Sequence, residues 1–180
     1  MANIVVLIGS KRKNGNTDQL AQSFVKGASK HNNVSVFSVT NETIHPCIGC
    51  DSCFTREGNR CFQKDDMQKI YDALLEADML VCASPVYMCG VSAQLKAILD
   101  RLHTPMRNRF PLKKTALLLV AGSEQDATFA PILAQYKQLT SFFHLEDCGH
   151  VFAGGCTKKG AISGHPALDE AYRLGETICD

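Results

Sequence analysis

The stretch IVVLIGSKRKNGNT, residues 4–17, joins a short apolar run to the start of a helical pattern. Residues 4–8 have the length and composition of a buried strand, and residues 17–29 have the spacing of an amphipathic helix with Thr17 as its N-cap. The loop between them contains Gly9 and Gly15, which permit tight turns, and three consecutive basic residues. Because a helix N-terminus offers free N–H groups and a partial positive charge, the stretch predicts a phosphate-binding loop. A solvated basic turn is the alternative.

The same alternation of strand and helix patterns continues along the chain. The predicted strands are residues 4–8, 34–39, 79–83, 115–121 and 146–152. The predicted helices are residues 17–29, 65–76, 91–102, 126–143 and 167–179, with Asp65 as a second N-cap. Five strands alternating with five helices predict an α/β fold, with a parallel sheet covered on both faces. A length of 180 residues and the lack of any linker predict one domain over residues 1–180.

Composition and net charge indicate which class of protein the sequence encodes and which partners are not expected. The chain is 45% hydrophobic and 21% charged with a formal net charge of +1, which is ordinary for a globular protein. This charge gives no steering toward nucleic acid or a membrane surface, so neither is expected as a partner. The N-terminus lacks the pattern of a signal peptide, which predicts a cytoplasmic protein. Nine cysteines in a reducing compartment point to metal or redox chemistry.

A second loop, SPVYMCG at residues 84–90, follows the third predicted strand. In an open α/β sheet, ligands bind at the carboxyl ends of the strands beside the topological switch point. For a strand order of 2-1-3-4-5, the two loops would meet there. Pro85 would stiffen the backbone, and Tyr87 and Met88 offer flat, polarisable surface to a ring system. Tyr87 could equally be a half-buried packing residue.

Residues 40–64 form an excursion that is long for a compact domain and contains four cysteines. Cys47, Cys50 and Cys53 are separated by two residues each, and Cys61 follows after seven. The triplet matches ferredoxin-type ligation of a 4Fe–4S cluster, although the last spacing is longer and Phe62 stands where proline would follow. Free or redox-active thiols and a zinc site are the alternatives.

The two loops together resemble the NADPH-dependent FMN reductases of the flavodoxin-like superfamily. With the cysteine loop added, the chain resembles the iron–sulfur flavoproteins. The resemblance implies a flavodoxin-like fold, a five-stranded parallel sheet of order 2-1-3-4-5 and non-covalently bound FMN. By the same resemblance, the phosphate residues are Ser10, Lys11, Arg12, Asn16 and Thr17. The ring residues are Pro85, Val86, Tyr87 and Met88, with Gly122 and Ser123 from the loop after the fourth strand.

The resemblance predicts an FMN-dependent oxidoreductase that takes electrons from NAD(P)H or a ferredoxin. It would pass them, with the 4Fe–4S cluster as a candidate carrier, to a small acceptor such as a quinone or flavin. Because the flavin carries the chemistry, no catalytic side chain is expected. The resemblance also implies a homodimer or homotetramer. A non-enzymatic electron carrier and a flavin-free thiol or metal module are the alternatives.

Overall fold

The computed structural model describes residues 1–178 and contains a six-stranded sheet. The strands are β1 (Asn3–Ile8), β2 (Asn33–Ser38), β3 (Met79–Tyr87), β4 (Gly90–Val91), β5 (Lys114–Val120) and β6 (Glu146–Ala153). Five of them are parallel in the order β2-β1-β3-β5-β6, and β4 pairs antiparallel with the end of β3. The fold is therefore the α/β flavodoxin-like arrangement with a parallel sheet.

The sheet has six strands rather than the predicted five, because β4 is added; numbered along the chain, the five parallel strands then have the order 2-1-3-5-6 in place of 2-1-3-4-5. The apolar pattern predicts an end of the third strand at Ala83, whereas β3 runs to Tyr87. Ser84 and Pro85 still pair with β5, and Val86 and Tyr87 then pair with β4. A proline usually marks a strand end or edge, which is why the pattern suggested a loop at this point.

Within residues 1–178, six α-helices connect and cover the strands. They are α1 (Asn16–Ala28), α2 (Ser52–Thr55), α3 (Met67–Leu74), α4 (Ala93–Arg101), α5 (Ala130–Phe142) and α6 (Ala167–Thr177). The predicted N-cap Thr17 was wrong, since α1 begins at Asn16 after Gly15. α3 begins at Met67 after Asp66, and the Asp65 carboxylate accepts from the N–H of Met67 at 3.3 Å, as expected of a capping residue. The short helix α2 was not predicted, and the predicted end at Cys179 lies outside the described residues. No helix within residues 1–178 is long and apolar enough to cross a membrane.

Side chains alternate between two hydrophobic layers, one on each face of the sheet. Ile4, Val6 and Ile8 of β1 pack in the layer that contains α1 and α6. Val5 and Leu7 pack in the opposite layer, with α3, α4 and α5. This period of two places helices on both faces and leaves the carboxyl ends of the strands open to the loops.

The backbones of α1 and α6 touch through two glycines. A Cβ atom on Gly27 would lie 2.0 Å from the carbonyl oxygen of Tyr172, and one on Gly175 would lie 2.2 Å from that of Phe24. A real Cβ atom does not fit in either place. The two glycines therefore set the close approach of the last described helix to the first.

Candidate functional site

A cavity of about 310 Å³ lies at the carboxyl ends of the central strands. The residues around it are Ser10, Arg12, Asn16, Thr17, Pro85, Val86, Tyr87, Val120, Ala121, Gly122, Cys156, Thr157 and Lys159. The structure therefore brings the first and second loops together at the switch point, as the strand order requires. No acidic side chain is among the described residues that line the cavity, so the site suits an anionic ligand.

Three of the predicted cofactor residues do not line this cavity. The side chain of Lys11 is exposed in the loop after β1. Met88 is 99% exposed at the tip of the β3–β4 hairpin. Ser123 accepts a hydrogen bond from the backbone N–H of Gln125 at 3.2 Å. Each of the three is next in sequence to a residue that does line the cavity. The sequence pattern therefore predicted the correct loops but not every side chain that lines the cavity.

The first loop is held tightly against the sheet. The N–H of Gly9 donates to the carbonyl of Ala83 at 2.8 Å, and the Ser92 hydroxyl donates to the carbonyl of Gly9 at 2.6 Å. A Cβ atom on Gly9 would lie 2.7 Å from both Ser92 Oγ and Leu95 Cβ, so only glycine fits there. This contact directs the loop, with Ser10 and Thr17 buried, toward the cavity at the start of α1.

Asn16 uses its side chain in a way that the sequence analysis did not anticipate. Its amide nitrogen Nδ2 donates to the carbonyls of Lys158 at 2.8 Å and Cys156 at 3.2 Å. Its oxygen Oδ1 accepts from the N–H groups of Gly160 at 2.8 Å and Ile162 at 3.4 Å. The amide has two donor hydrogens and two acceptor lone pairs, and all four are engaged. Asn16 therefore holds residues 156–162 against the first loop.

The second loop is a two-residue hairpin with an unfavourable backbone. Tyr87 pairs with Gly90, and the two residues between them, Met88 and Cys89, have φ angles of 45° and 62°. This left-handed conformation favours asparagine and glycine and is costly for other residues. Tyr87 is 50% exposed at the cavity rim. The hairpin thus presents Tyr87 to the cavity and Met88 to solvent.

A second cavity, of about 300 Å³, lies between α4 and α5. Its lining is mainly aliphatic and includes Leu95, Leu99 and Ile132. The cation at its edge, Lys96, already forms an ion pair with Asp100. This cavity has neither the glycine-containing loop nor the unpaired cation that a phosphate requires. The cavity at the strand ends is therefore the better candidate site.

The cysteine loop lies mostly at the surface. Cys47 and Cys50 are exposed, whereas Cys53 and Cys61 are half-buried. Burial raises the pKa of the Cys53 thiol, although a hydrogen bond with Thr104 opposes this effect. Cys50 instead lies 3.3 Å from the Ser52 hydroxyl, and this hydrogen bond lowers its pKa. Within residues 1–178, no three histidine, cysteine or acidic side chains converge closely enough to hold a single metal ion.

Both stems of the cysteine loop are attached to Arg101 of α4. The buried Arg101 guanidinium forms an ion pair with Asp65 and donates from Nη1 to the carbonyl of His45 at 3.1 Å. The N–H of His45 in turn donates to Asp65 at 2.9 Å. Burial disfavours the Asp65 carboxylate, but its bonds with Arg101 and His45 outweigh burial and lower its pKa. Nε and Nη2 of Arg101 are buried and have no hydrogen-bond partner among the described residues.

Amide and hydroxyl groups also hold the rest of the loop. The side chain of Asn59 donates to the carbonyl of Cys53 at 2.9 Å, and that of Thr104 donates to the carbonyl of Asn59 at 2.5 Å. The side chain of Gln63 donates to the carbonyl of Pro46 at 3.1 Å, and that of Gln68 donates to the carbonyl of Cys61 at 3.2 Å. The cysteines are therefore carried on a preformed polar scaffold. Sequence reasoning missed Arg101 and Asp65 as loop anchors, because they are 36 residues apart.

A parallel sheet with a phosphate-type loop and a cavity at its switch point defines a flavodoxin-like, cofactor-binding class of protein. Residues 2–155 match the NADPH-dependent FMN reductase family, and the chain belongs to that family. It is accordingly an FMN-dependent oxidoreductase that works with NAD(P)H. The resemblance on which this expectation was based is confirmed.

Individual proteins show the same relationship. The chain is 30% identical to an iron–sulfur flavoprotein of Methanosarcina thermophila, over 98% of this chain and 93% of that protein. It is 28% identical to a protein of Bacillus subtilis named as an NAD(P)H-dependent FMN-containing oxidoreductase, over 95% of each chain. The solved structure of an NAD(P)H:quinone oxidoreductase from Methanothermobacter marburgensis superposes with a TM-score of 0.75 at 16% identity, covering 97% of this chain and 96% of that one. This last likeness supports the fold alone.

Proposed function

We propose that the protein passes electrons through FMN, bound in the strand-end cavity, from NAD(P)H or a ferredoxin to a small acceptor such as a quinone or free flavin. The observation that carries this proposal is the cavity itself. Its lining combines the start of α1 and the cation Arg12 with the flat surface of Pro85 and Tyr87. A ligand that contains both an anionic group and a planar ring matches that lining.

The residues that line the cavity form two groups, one for the phosphate and one for the ring. Ser10, Arg12 and Thr17 would hold the phosphate through hydroxyl, guanidinium and backbone N–H donors. Pro85, Val86, Tyr87 and Gly122 would bound the ring and exclude water from it. Bound FMN would supply hydride acceptance and onward transfer of one or two electrons. The side chains need only bind and orient, which agrees with a cavity whose lining contains no carboxylate or histidine.

Flavin binding is tested by replacing Arg12 and Thr17 together with alanine. Each lost donor should cost about 1–3 kcal/mol, so the affinity for FMN should fall at least about tenfold. Lys11→Ala is the matched control, because Lys11 is exposed outside the cavity lining and its loss should change affinity little. The measurement is titration of FMN fluorescence. Equal affinity in the double variant and the parent would show that the phosphate loop is misassigned.

Turnover separates an oxidoreductase from the alternatives. NADH or NADPH should bleach the bound flavin, and a quinone or free flavin should restore its absorbance over many cycles. Bleaching by reduced ferredoxin alone, without turnover on small acceptors, would indicate an electron carrier. A parent protein that takes up no FMN would favour the flavin-free thiol or metal module.

We also propose that Cys47, Cys50, Cys53 and Cys61 ligate a 4Fe–4S cluster. All four cysteines are carried on one loop anchored by side-chain hydrogen bonds, and Cys47 and Cys50, the latter beside Ser52, are exposed. A cubane cluster spaces its thiolates more widely than a single ion does, so the absence of a single-ion site among the described residues is compatible with it. Relatives named as iron–sulfur flavoproteins add support.

Analysis of iron and sulfide after anaerobic reconstitution tests this cluster. The parent should bind about four irons per chain. Cys50→Ser should lose most of that iron, whereas Cys89→Ser, which removes an exposed thiol outside the loop, should retain it. Equal and low iron in all three proteins would leave free or redox-active thiols, and stoichiometric zinc in their place would identify a zinc site.

We propose further that residues 1–180 act as one domain and assemble into a homodimer or homotetramer, with the cysteine loop near a neighbouring chain's flavin. Exposed apolar side chains on the loop and the hairpin, such as Phe54 and Met88, support this assembly. Light scattering that gives a monomer at micromolar concentration would contradict it, as would two separate unfolding transitions for the single domain.

We propose a cytoplasmic location, where NAD(P)H is available, with no nucleic-acid or membrane partner. The formal net charge of +1 supports this proposal. Recovery of the protein with membranes or nucleic acid after cell fractionation at physiological salt would contradict it.

A further inference from the structure

Residues 156–160, which we call the strap, lie beside the first turn of α1. The strap follows β6 and contributes Cys156, Thr157 and Lys159 to the lining of the strand-end cavity. It is about 140 residues away from the phosphate loop in sequence. Its sequence, Cys-Thr-Lys-Lys-Gly, did not mark it as part of the site.

Asn16 determines where the strap lies. Its amide bonds to the carbonyl of Lys158 and to the N–H of Gly160, each at 2.8 Å. Lys159 is therefore fixed between two bonded neighbours, directly beside the first residue of α1. A phosphate would bind at this helix N-terminus. The hydrogen bonds of Asn16 thus place the backbone of Lys159 beside the start of α1.

The chemistry of Lys159 suits an anion. Its side chain lines the cavity, and it forms no ion pair within residues 1–178. The adjacent Lys158 is equally exposed but does not line the cavity. A lysine ammonium acts as a point charge toward phosphate, whereas Arg12 can offer a planar fork. Arg12 and Lys159, which lie near opposite ends of the described sequence, would both contact one phosphate.

We propose that Lys159 is a second cationic ligand of the FMN phosphate and that Asn16 is the residue that positions it. The strap would then select flavin that carries a 5′-phosphate over riboflavin, which lacks it. This inference rests on the proposed flavin site. It assigns Asn16 a positioning role through its side chain, because that amide has no hydrogen-bonding capacity left for the ligand.

The test compares the affinities for FMN and riboflavin in Lys159→Ala and in its matched control Lys158→Ala. Lys159→Ala should weaken FMN about tenfold and riboflavin less than about twofold, and its FMN affinity should depend less on salt. Lys158→Ala should match the parent, and Lys159→Arg should restore most of the FMN affinity. Unchanged FMN affinity in Lys159→Ala, or equal losses for both flavins, would overturn the inference. A parent that binds neither flavin would overturn the proposed function as well.

A double-mutant cycle tests the role of Asn16. If Asn16 acts through the strap, Asn16→Ala should weaken FMN, and adding Lys159→Ala should then have little further effect. Circular dichroism and thermal unfolding check that Asn16→Ala folds. Additive losses in the double variant would show that Asn16 acts independently of Lys159 and would contradict its positioning role.

Discussion

At the scale of single residues, the ion pair of Arg101 and Asp65 is the contact with the highest desolvation cost. Both side chains are about 1% exposed, and together they hold His45 and the following helix α3 in place. A buried pair is costly to desolvate, and removal of one partner leaves an uncompensated charge. The exposed pair of Lys96 and Asp100 on α4 has no such penalty.

We therefore expect Asp65→Asn to lower the free energy of unfolding by about 3–5 kcal/mol. Asp100→Asn, the control on the same helix as Arg101, should lower it by no more than about 1 kcal/mol. Urea unfolding followed by circular dichroism measures both. Similar small losses in the two variants would mean that Arg101 finds other partners when Asp65 is neutral.

The same pair predicts how stability depends on pH. The pKa of Asp65 is lower in the folded protein than in the unfolded chain, where it is about 3.9. Its contribution is therefore fully present above that value and is lost as pH falls toward the folded pKa. The Asp65→Asn variant lacks this contribution, so it should lose less stability on acidification than the parent. Parallel curves of stability against pH for the parent and the variant, below about pH 5, would contradict it.

At the scale of elements, the β3–β4 hairpin combines a functional position with a strained turn. Met88 and Cys89 adopt positive φ angles in a two-residue turn that favours Asn-Gly. Met88 is exposed, so little packing is lost on its replacement. Strain of this kind is common where a turn must present a side chain to a ligand.

Replacement of Met88 and Cys89 by Asn and Gly should relieve that strain. We expect a net gain of about 1 kcal/mol, or about 2–4 °C in Tm for a chain of this size, after the entropic cost of the glycine. Cys89→Ala removes the thiol and keeps the strained backbone, so its Tm should stay near that of the parent. A rise in Cys89→Ala equal to that of the double replacement would attribute the effect to the thiol.

The hairpin and the strap also show what the sequence could predict. Long periodic elements such as β1, α1 and the five parallel strands were visible in the apolar pattern. β4 was not, because two residues are too few for a period. Most of the cavity residues follow predicted strands directly, whereas Lys159 reaches the site only through hydrogen bonds that cross the fold. The side-chain role of Asn16 was missed for the same reason.

At the scale of the whole molecule, the contact between α1 and α6 joins the two ends of the described chain. Gly27 and Gly175 allow each helix to approach the backbone of the other. Since α1 also begins at the cavity, the position of α6 supports the element that would hold the phosphate.

We expect Gly175→Ala to destabilise the protein by about 1–3 kcal/mol, because its Cβ atom would overlap the carbonyl of Phe24. The loss should appear despite a gain of about 1 kcal/mol in helix propensity. Gly90→Ala is the control, since its Cβ atom would meet nothing closer than 3.7 Å. Thermal unfolding that ranks Gly90→Ala as the more damaging change would show that α6 can shift away from α1.

The hydrogen bonds of Asn16 also impose an order on biosynthesis. A ribosome must add 140 residues after Asn16 before Cys156 exists, and the carbonyls and N–H groups that engage its amide come only then. A nascent chain stalled before residue 150 should therefore fail to retain FMN that the released chain binds. Loading of FMN into this cavity would then follow translation rather than accompany it.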